Sequence, residues 1–294
     1  MRKAFLQLHL AVFLAGFTGV LGRIITLNEA VLVWWRLLIT AGTMWLLFLP
    51  AGRIRKISAR DHGLIFLVGI IAALHWVSFY GSIKYANISV ALVCFSAVGF
   101  FTAIVEPVIF KTRFKSSELV LGLLVMAGIY IIFQFDPRYK TGIAIGLVSA
   151  FMGAVFPVCN RRLLQRMNAE TLLSYELTAG FLVLSFILPF YIKFFNVSRL
   201  MPGKTDWVGL LFLSWICSVW AFQLSANALK KISAFTVNLT YNLEPVYGIV
   251  LAFVIYQENE MLGPSFYVGL ALILIAVSLQ TIRVYRHRKA GLQI

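Results

Sequence analysis

Ten apolar stretches, each long enough to cross a bilayer, follow one another along nearly the whole chain. A hydrocarbon core about 30 Å thick takes roughly 20 apolar residues of α-helix at about 1.5 Å rise per residue. The stretches fall at about 5–24, 30–50, 63–84, 88–110, 117–135, 142–163, 171–192, 207–228, 232–256 and 264–283. Of the 294 residues, 61% are hydrophobic and only 13% charged, with a mean hydropathy of +0.88. A water-facing surface of that size needs far more charge, so a soluble domain is excluded. The longest polar gap, near 193–206, is too short to fold as a domain. The expected fold class is an all-α membrane protein with ten transmembrane helices.

A net charge of +15 raises the question of nucleic acid, and the positions of the charges argue against it. Basic residues beside apolar spans set topology. With the N-terminus placed inside, 18 of the 26 Lys and Arg residues fall on inner connections and ends, and 7 on outer ones; Arg36 lies within the second span. That bias predicts cytoplasmic termini and an inner-leaflet role for the positive charge, with no basic-aromatic face for a nucleic acid. Cys94, Cys159 and Cys217 all lie within spans at no metal-ligating spacing and read as small buried apolar residues. The first apolar run is too long for a signal peptide and is expected to stay as a helix.

The second half of the sequence repeats the first. At an offset of 147, Lys84 meets Lys231, Val98 meets Pro245, Lys111 meets Glu258 and Gly122 meets Gly269. An offset of 146 sets Gly99 against Pro245 instead, and the residues leave the two registers open. Near the start, Ala11, Ala15 and Gly19 overlay Gly146, Ala150 and Ala154. Such small-residue stripes let helices approach closely in lipid. Each half holds five spans, an odd number, so the second half must enter the membrane upside down. Two inverted five-helix repeats are expected, at 1–136 and 141–285, followed by a basic cytoplasmic tail at 286–294. Inverted repeats recur among transporters because one fold in two orientations yields two nearly equivalent states, each open to one side.

The segment NLTYNLEPVYGIVLAFVIYQE, 238–258, resembles the ninth helix of the drug/metabolite transporter superfamily in its EamA branch, with a mid-helix Pro245 and a helix-ending Glu258. The segment LHWVSFYGSIKYANISVAL, 74–92, is similar to the run from the third helix of that family into its fourth, and Arg36 matches an Arg frequent in its second helix. The first half departs from the pattern: Val98 or Gly99 stands where Pro is usual, and Lys111 or Thr112 where Glu is usual. The resemblance implies a secondary carrier of the inner or plasma membrane, with export favoured over uptake, and a central cavity lined by the third, fourth, eighth and ninth helices.

An ionisable group at mid-bilayer costs roughly 2.5–3.5 kcal/mol to insert and so faces protein or a watery cavity. Glu244, near mid-depth in the ninth span, is the leading candidate, and a carboxyl there opens proton-linked behaviour. Pro245 beside it is expected to kink the helix. His75, Ser78 and Phe79 share a face of span 3 by helical spacing, beside Trp76. Asn238, Tyr241 and Asn242 share a face of span 9, and Trp220 and Gln223 one of span 8. Ser96 and Gly99 mark span 4, Gly99 as a point of close approach. Stacking surfaces with a few donors and acceptors suit a small amphipathic organic solute. Each of these residues also has a packing reading, as lipid-facing aromatics or cross-helix hydrogen bonds. Arg36, about 9 Å inside its span, is expected to snorkel to the interface. Glu106, Glu176 and Glu258 read as structural, Glu258 as a support for the turn into span 10.

No phosphate loop of the form G-x-x-x-x-G-K-[ST], no H-E-x-x-H and no nucleophile elbow occurs. No enzyme activity, cofactor or metal is expected. The expected partners are a small-molecule substrate, the lipid bilayer and, through Glu244, protons; the oligomeric state stays open. Two other readings remain: a nucleotide-sugar or phosphate-ester antiporter, for which a deep basic pair is wanting, and an intramembrane enzyme or scaffold.

Overall fold

The computed structural model describes residues 2–135, 137–229, 240–241 and 243–289. The described residues are nearly all helical and contain no strand. In chain order the helices are α1 (Arg2–Ile24), α2 (Glu29–Phe48), α3 (Ala59–Tyr85), α4 (Ile88–Phe95), α5 (Val98–Phe110), α6 (Ser116–Phe135), α7 (Lys140–Leu163) and α8 (Ala169–Phe195). Then α9 (Lys204–Leu211) runs through a π-helical stretch, Phe212–Trp220, into α10 (Ala221–Leu229), and α11 (Glu244–Tyr256) and α12 (Pro264–Lys289) complete the chain. Among the described residues nine helical spans are long and apolar enough to cross a membrane, and α11 is a shorter apolar helix. The ninth expected span, 232–256, is described only from Thr240 onward apart from position 242, and the candidate residues Asn238 and Asn242 lie outside the described residues.

Local chemistry sets the helix starts. Asn28 accepts from the Ala30 N–H ahead of α2, Ser58 from the Asp61 N–H ahead of α3, and Asn87 from the Val90 N–H ahead of α4. These side chains satisfy amide donors that a helix start leaves without intrahelical partners.

The two halves carry matching devices in inverted positions. The fourth span breaks between α4 and α5 at Ser96–Ala97, and α11 begins directly after Leu243, so Val98–Phe110 corresponds to Glu244–Tyr256, thirteen residues each. Both segments end on a left-handed residue, Lys111 (φ 54°) and Gln257 (φ 53°). The other two positive-φ residues among those described, Gly52 (φ 64°) and Asn196 (φ 50°), follow α2 and α8. This capping settles the register left open by the sequence in favour of the 146-residue offset: Glu244 matches Val98, Pro245 matches Gly99 and Glu258 matches Thr112. Asp61 and Asp206 each close the first turn of their helix and reach into a connection of the other half, Asp61 to Arg166 and Asp206 to Thr26. Lys84 donates to the Ile25 carbonyl, so the far end of α3 shares a face with Asp206, and Asp61 sits on the opposite face.

The packing follows the same exchange. α3 lies on α7 as α1 lies on α10; α4 and α5 lie on α7 as α11 lies on α1; α2 crosses α8, and α6 crosses α12. Glycine makes the tightest crossings possible. A Cβ on Gly69 would stand 2.5 Å from the Glu176 carbonyl oxygen, one on Gly128 2.6 Å from that of Gly269, and one on Gly16 2.9 Å from that of Glu244. In lipid, where burial of apolar surface gives helices no reason to associate, such approaches supply the packing contacts. The expected small-residue stripes serve this purpose: Ala11, Ala150 and Ala154 are buried, and Gly146 abuts Cys94 and Ser82.

Candidate functional site

The centre of the site is Arg36. It does not snorkel: the residue is only 6% exposed, and its guanidinium is held inside by neighbouring elements. Nη1 donates to the Tyr80 hydroxyl at 2.9 Å, Nη2 donates to Ser218 Oγ at 3.1 Å, and the guanidinium carbon lies 4.3 Å from the Trp76 ring centroid. A desolvated cation over an aromatic face gains about 2 kcal/mol, which with two hydrogen bonds offsets the insertion cost of an arginine. Trp76 and Tyr80 are one helical turn apart on α3 and so present one face to α2. Ser218 lies in the π-helical stretch, its hydroxyl donating to the Leu213 carbonyl five residues back. The wider turn sets the register that brings this side chain to Arg36.

Glu244 lies within electrostatic reach of Arg36. It is the first residue of α11, where the exposed amides of a helix start favour negative charge. Its side chain is half-buried. Pro245 stands in the first turn of α11, where no intrahelical hydrogen bond is lost, and most of the preceding part of span 9, across which a kink is expected, lies outside the described residues. Arg36 Nε is buried and has no hydrogen-bond partner among the described residues, and the same holds for Gln223 Nε2. A buried donor without an acceptor among the described residues, an aromatic face and an acid within electrostatic reach can together bind a small solute bearing an acceptor group.

The other sequence candidates divide. Phe79 and His75 are both buried, His75 in the α3–α7 contact and Phe79 against Phe95 of α4. His75 Nδ1 is 2.9 Å from the Ser149 carbonyl oxygen and 3.0 Å from Ser149 Oγ, with the Phe79, Phe95 and Phe156 rings around it. Gly153 gives the imidazole its room, since a Cβ there would stand 3.2 Å from Nδ1. His75 is thus a cross-helix tether. Trp76 is part of the Arg36 setting. Ser78 and Ser96 are half-buried, and Ser96 Oγ donates to its own helix at the Leu92 carbonyl. Gly99 is exposed, and a Cβ added to it would meet no described atom within 4 Å, so it marks open space and not a close approach. Trp220 is 45% exposed. The Tyr241 hydroxyl is 2.7 Å from Ser225 Oγ and ties α10 to the approach to α11.

Three residues of the site are not evident as such from the sequence: Arg36, Tyr80 and Ser218. Their shared signal is weak, because each comes from a different helix. Glu258 also departs from its expected place. Its carboxylate does not support the turn into α12; it accepts from the Ile88 and Ser89 amides and the Ser89 hydroxyl at the start of α4, and pairs with Arg23.

The profile of the EamA-like transporter family matches residues 2–134 and again 140–282, almost the entire chain in two successive copies. An uncharacterized transporter of Archaeoglobus fulgidus is 25% identical over 215 residues, 70% of this chain and 71% of that protein. A second uncharacterized transporter of the same organism is 23% identical over 237 residues, 79% and 82% of the two chains. A crystal structure 17% identical to this chain superposes with a TM-score of 0.64 over 97% of this chain and 99% of the other, which bears on the fold alone. Two inverted sets of apolar helices, a polar centre between them and a family profile matching twice lead to one conclusion: the chain belongs to the EamA-like transporter family and is a multi-pass membrane transporter.

Proposed function

We propose that this protein exports a small organic metabolite across the plasma membrane by alternating access, with the solute held between Arg36, Trp76 and Glu244. The observation that carries the reading is the buried Arg36 Nε, a donor with no acceptor among the described residues, within electrostatic reach of Glu244 at the start of α11. A buried cationic donor left unpaired costs free energy that a solute's carbonyl or carboxylate oxygen would recover. The Trp76 ring suits a flat or apolar part of the same solute. The units at 1–136 and 141–285 rock about this point and expose it to each side in turn. Outward direction and plasma-membrane placement rest on the family likeness, and cytoplasmic termini on the distribution of Lys and Arg.

The test is counterflow in sealed proteoliposomes, with candidate solutes drawn from metabolites that accumulate in cells lacking the protein. Wild type is expected to exchange the solute. Arg36→Gln and Glu244→Gln should each lose at least tenfold in rate, whereas Trp220→Phe should retain activity. Normal exchange by both Arg36→Gln and Glu244→Gln would refute the assignment.

A further inference from the structure

A second buried carboxyl lies away from this centre. Glu176 is 2% exposed, on α8 where α3 meets it. It stands seven residues into α8, about 10 Å along the helix from its start. Asn160 Nδ2, from α7, donates to Glu176 Oε2 at 2.7 Å. Asn160 is itself only 9% exposed, and its Oδ1 is buried with no donor among the described residues. The pair therefore has a surplus of acceptors. The one amide group of Asn160 serves Oε2, and nothing among the described residues donates to its own Oδ1.

No described cation compensates the carboxylate. From α7, Cys159 faces it, and Arg162 acts on Cys159. Arg161 pairs with Glu106, and Arg166 with Asp61 of α3. From α3, His62 packs edge-on against Tyr175 and donates from Nδ1 to the Ser58 carbonyl, while Gly69 brings backbone against the Glu176 carbonyl. From the connection after α2, Arg53 pairs with Glu170, and α2 itself sends Trp45 to Thr178. Arg36, the buried cation of α2, is committed to Tyr80 and Ser218. Glu244, in contrast, has Arg36 within reach. An ionised carboxylate held in a low-dielectric interior without a counter-charge costs several kcal/mol.

We propose that Glu176 and Asn160 form a proton-binding site, distinct from the solute site, through which proton movement is coupled to transport. The proton balances the donor deficit. In the neutral acid, Asn160 Nδ2 still donates to Oε2 and the acid O–H supplies the donor that Asn160 Oδ1 otherwise lacks. Release breaks the O–H bond, returns the proton to water and leaves a carboxylate that must gain hydration or counter-charge. The site sits at the α3–α8 crossing, where the Gly69 and Gly180 backbones touch, and α3 also carries Trp76 and Tyr80. Loss of the proton thus loosens the contact that positions the aromatic wall of the solute site. This coupling rests on the transporter reading, but occupancy of the site by a proton does not.

Infrared spectroscopy of the full chain in lipid tests it without any substrate. The carbonyl stretch of a neutral carboxylic acid should be present, titrate with pH, vanish in Glu176→Gln and persist in Glu244→Gln. Glu176→Gln keeps the size of the side chain and a donor for Asn160 Oδ1, so it should fold. In Asn160→Leu the titration midpoint should move by about one pH unit, a tenfold change in proton affinity, which keeps the proposal testable even where Glu176→Gln misfolds. A band that survives Glu176→Gln overturns the proposal, as does a wild type without the band. A band removed by sodium at constant pH would overturn it too, by showing a metal cation in place of the proton. Failure here leaves the counterflow result at Arg36 standing, and failure there leaves the infrared result standing.

Discussion

Glu258 should be worth more to this fold than its place in a short connection suggests. It is fully buried and accepts from the Ile88 amide at 3.1 Å, the Ser89 amide at 2.8 Å and the Ser89 hydroxyl at 2.6 Å. It also pairs with Arg23 at 2.7 Å, which itself stacks on Tyr256. One carboxylate thus joins the end of α1, the start of α4 and the end of α11. Two effects compete for the credit. A hydrogen bond to a charged group contributes about 1.5–3 kcal/mol, and the helix start adds a favourable dipole. The ion pair contributes about 1 kcal/mol or less, because the Arg23 side chain is 35% exposed and water screens it. The cap should therefore dominate. In Glu258→Gln one oxygen becomes an N–H₂ that meets another donor, and the loss should be about 3 kcal/mol. At about 2 °C per kcal/mol for a chain of this size, Tm should fall by roughly 6 °C. Arg23→Gln should lower Tm by roughly 2 °C and Ser89→Ala by a similar amount. The measurement is thermal loss of monodisperse protein in detergent for all three variants. If Arg23→Gln fell as far as Glu258→Gln, the ion pair would be the dominant contact and the capping argument would be wrong.

Other substitutions separate further contributions. Gly69→Val places carbon against the Glu176 backbone and should cost about 1–3 kcal/mol by overpacking, read as a lower Tm. Gly42→Ala meets no described atom within 4 Å on an exposed turn of α2 and should stabilise by up to about 1 kcal/mol, a control showing that glycine matters here only at crossings. Asp206→Asn weakens contacts to Thr26, Gly203 and Arg199 around a side chain 2% exposed, so it should lower Tm more than Asp61→Asn, whose side chain is 14% exposed. Arg36→Lys keeps the charge but loses the planar fork that serves Tyr80 and Ser218 together, so counterflow should fall nearly as far as in Arg36→Gln.

What can be read from the sequence is whatever repeats along one helix or in composition. Span number, the inverted pairing of halves and the buried small-residue stripes follow from apolar length and spacing; nine long spans and the shorter α11 among the described residues, the exchanged packing and the buried alanines agree with them. What cannot be read depends on partners far away in the chain. Arg36 looks able to reach the interface because its own helix offers nothing to hold it; Tyr80 and Ser218, 44 and 182 residues away, supply what does. His75 sits on a mixed face of α3, and spacing alone does not say whether a cavity or another helix covers that face. Ser149 and the rings of Phe95 and Phe156 cover it. Apolar periodicity does not reveal that Pro245 falls in the first turn of α11.

The register of the repeat shows why such limits of the sequence share a cause. Apolar blocks tolerate a shift of one residue because Leu, Ile, Val and Phe are nearly interchangeable in lipid, whereas a left-handed cap occupies one position only. Lys111 and Gln257 mark that position, and with it the symmetry of backbone is close while that of chemistry is not. At matched places stand Val98 and Glu244, Gly99 and Pro245, Thr112 and Glu258. The carboxylate that ties α1, α4 and α11 at one face thus corresponds to an exposed threonine at the other. Two halves with equal backbones would favour two equal states. The buried acid in one half alone makes the two faces chemically unequal: Glu258 joins three helices at one face, and the exposed Thr112 at the matched place has no carboxylate with which to do the same.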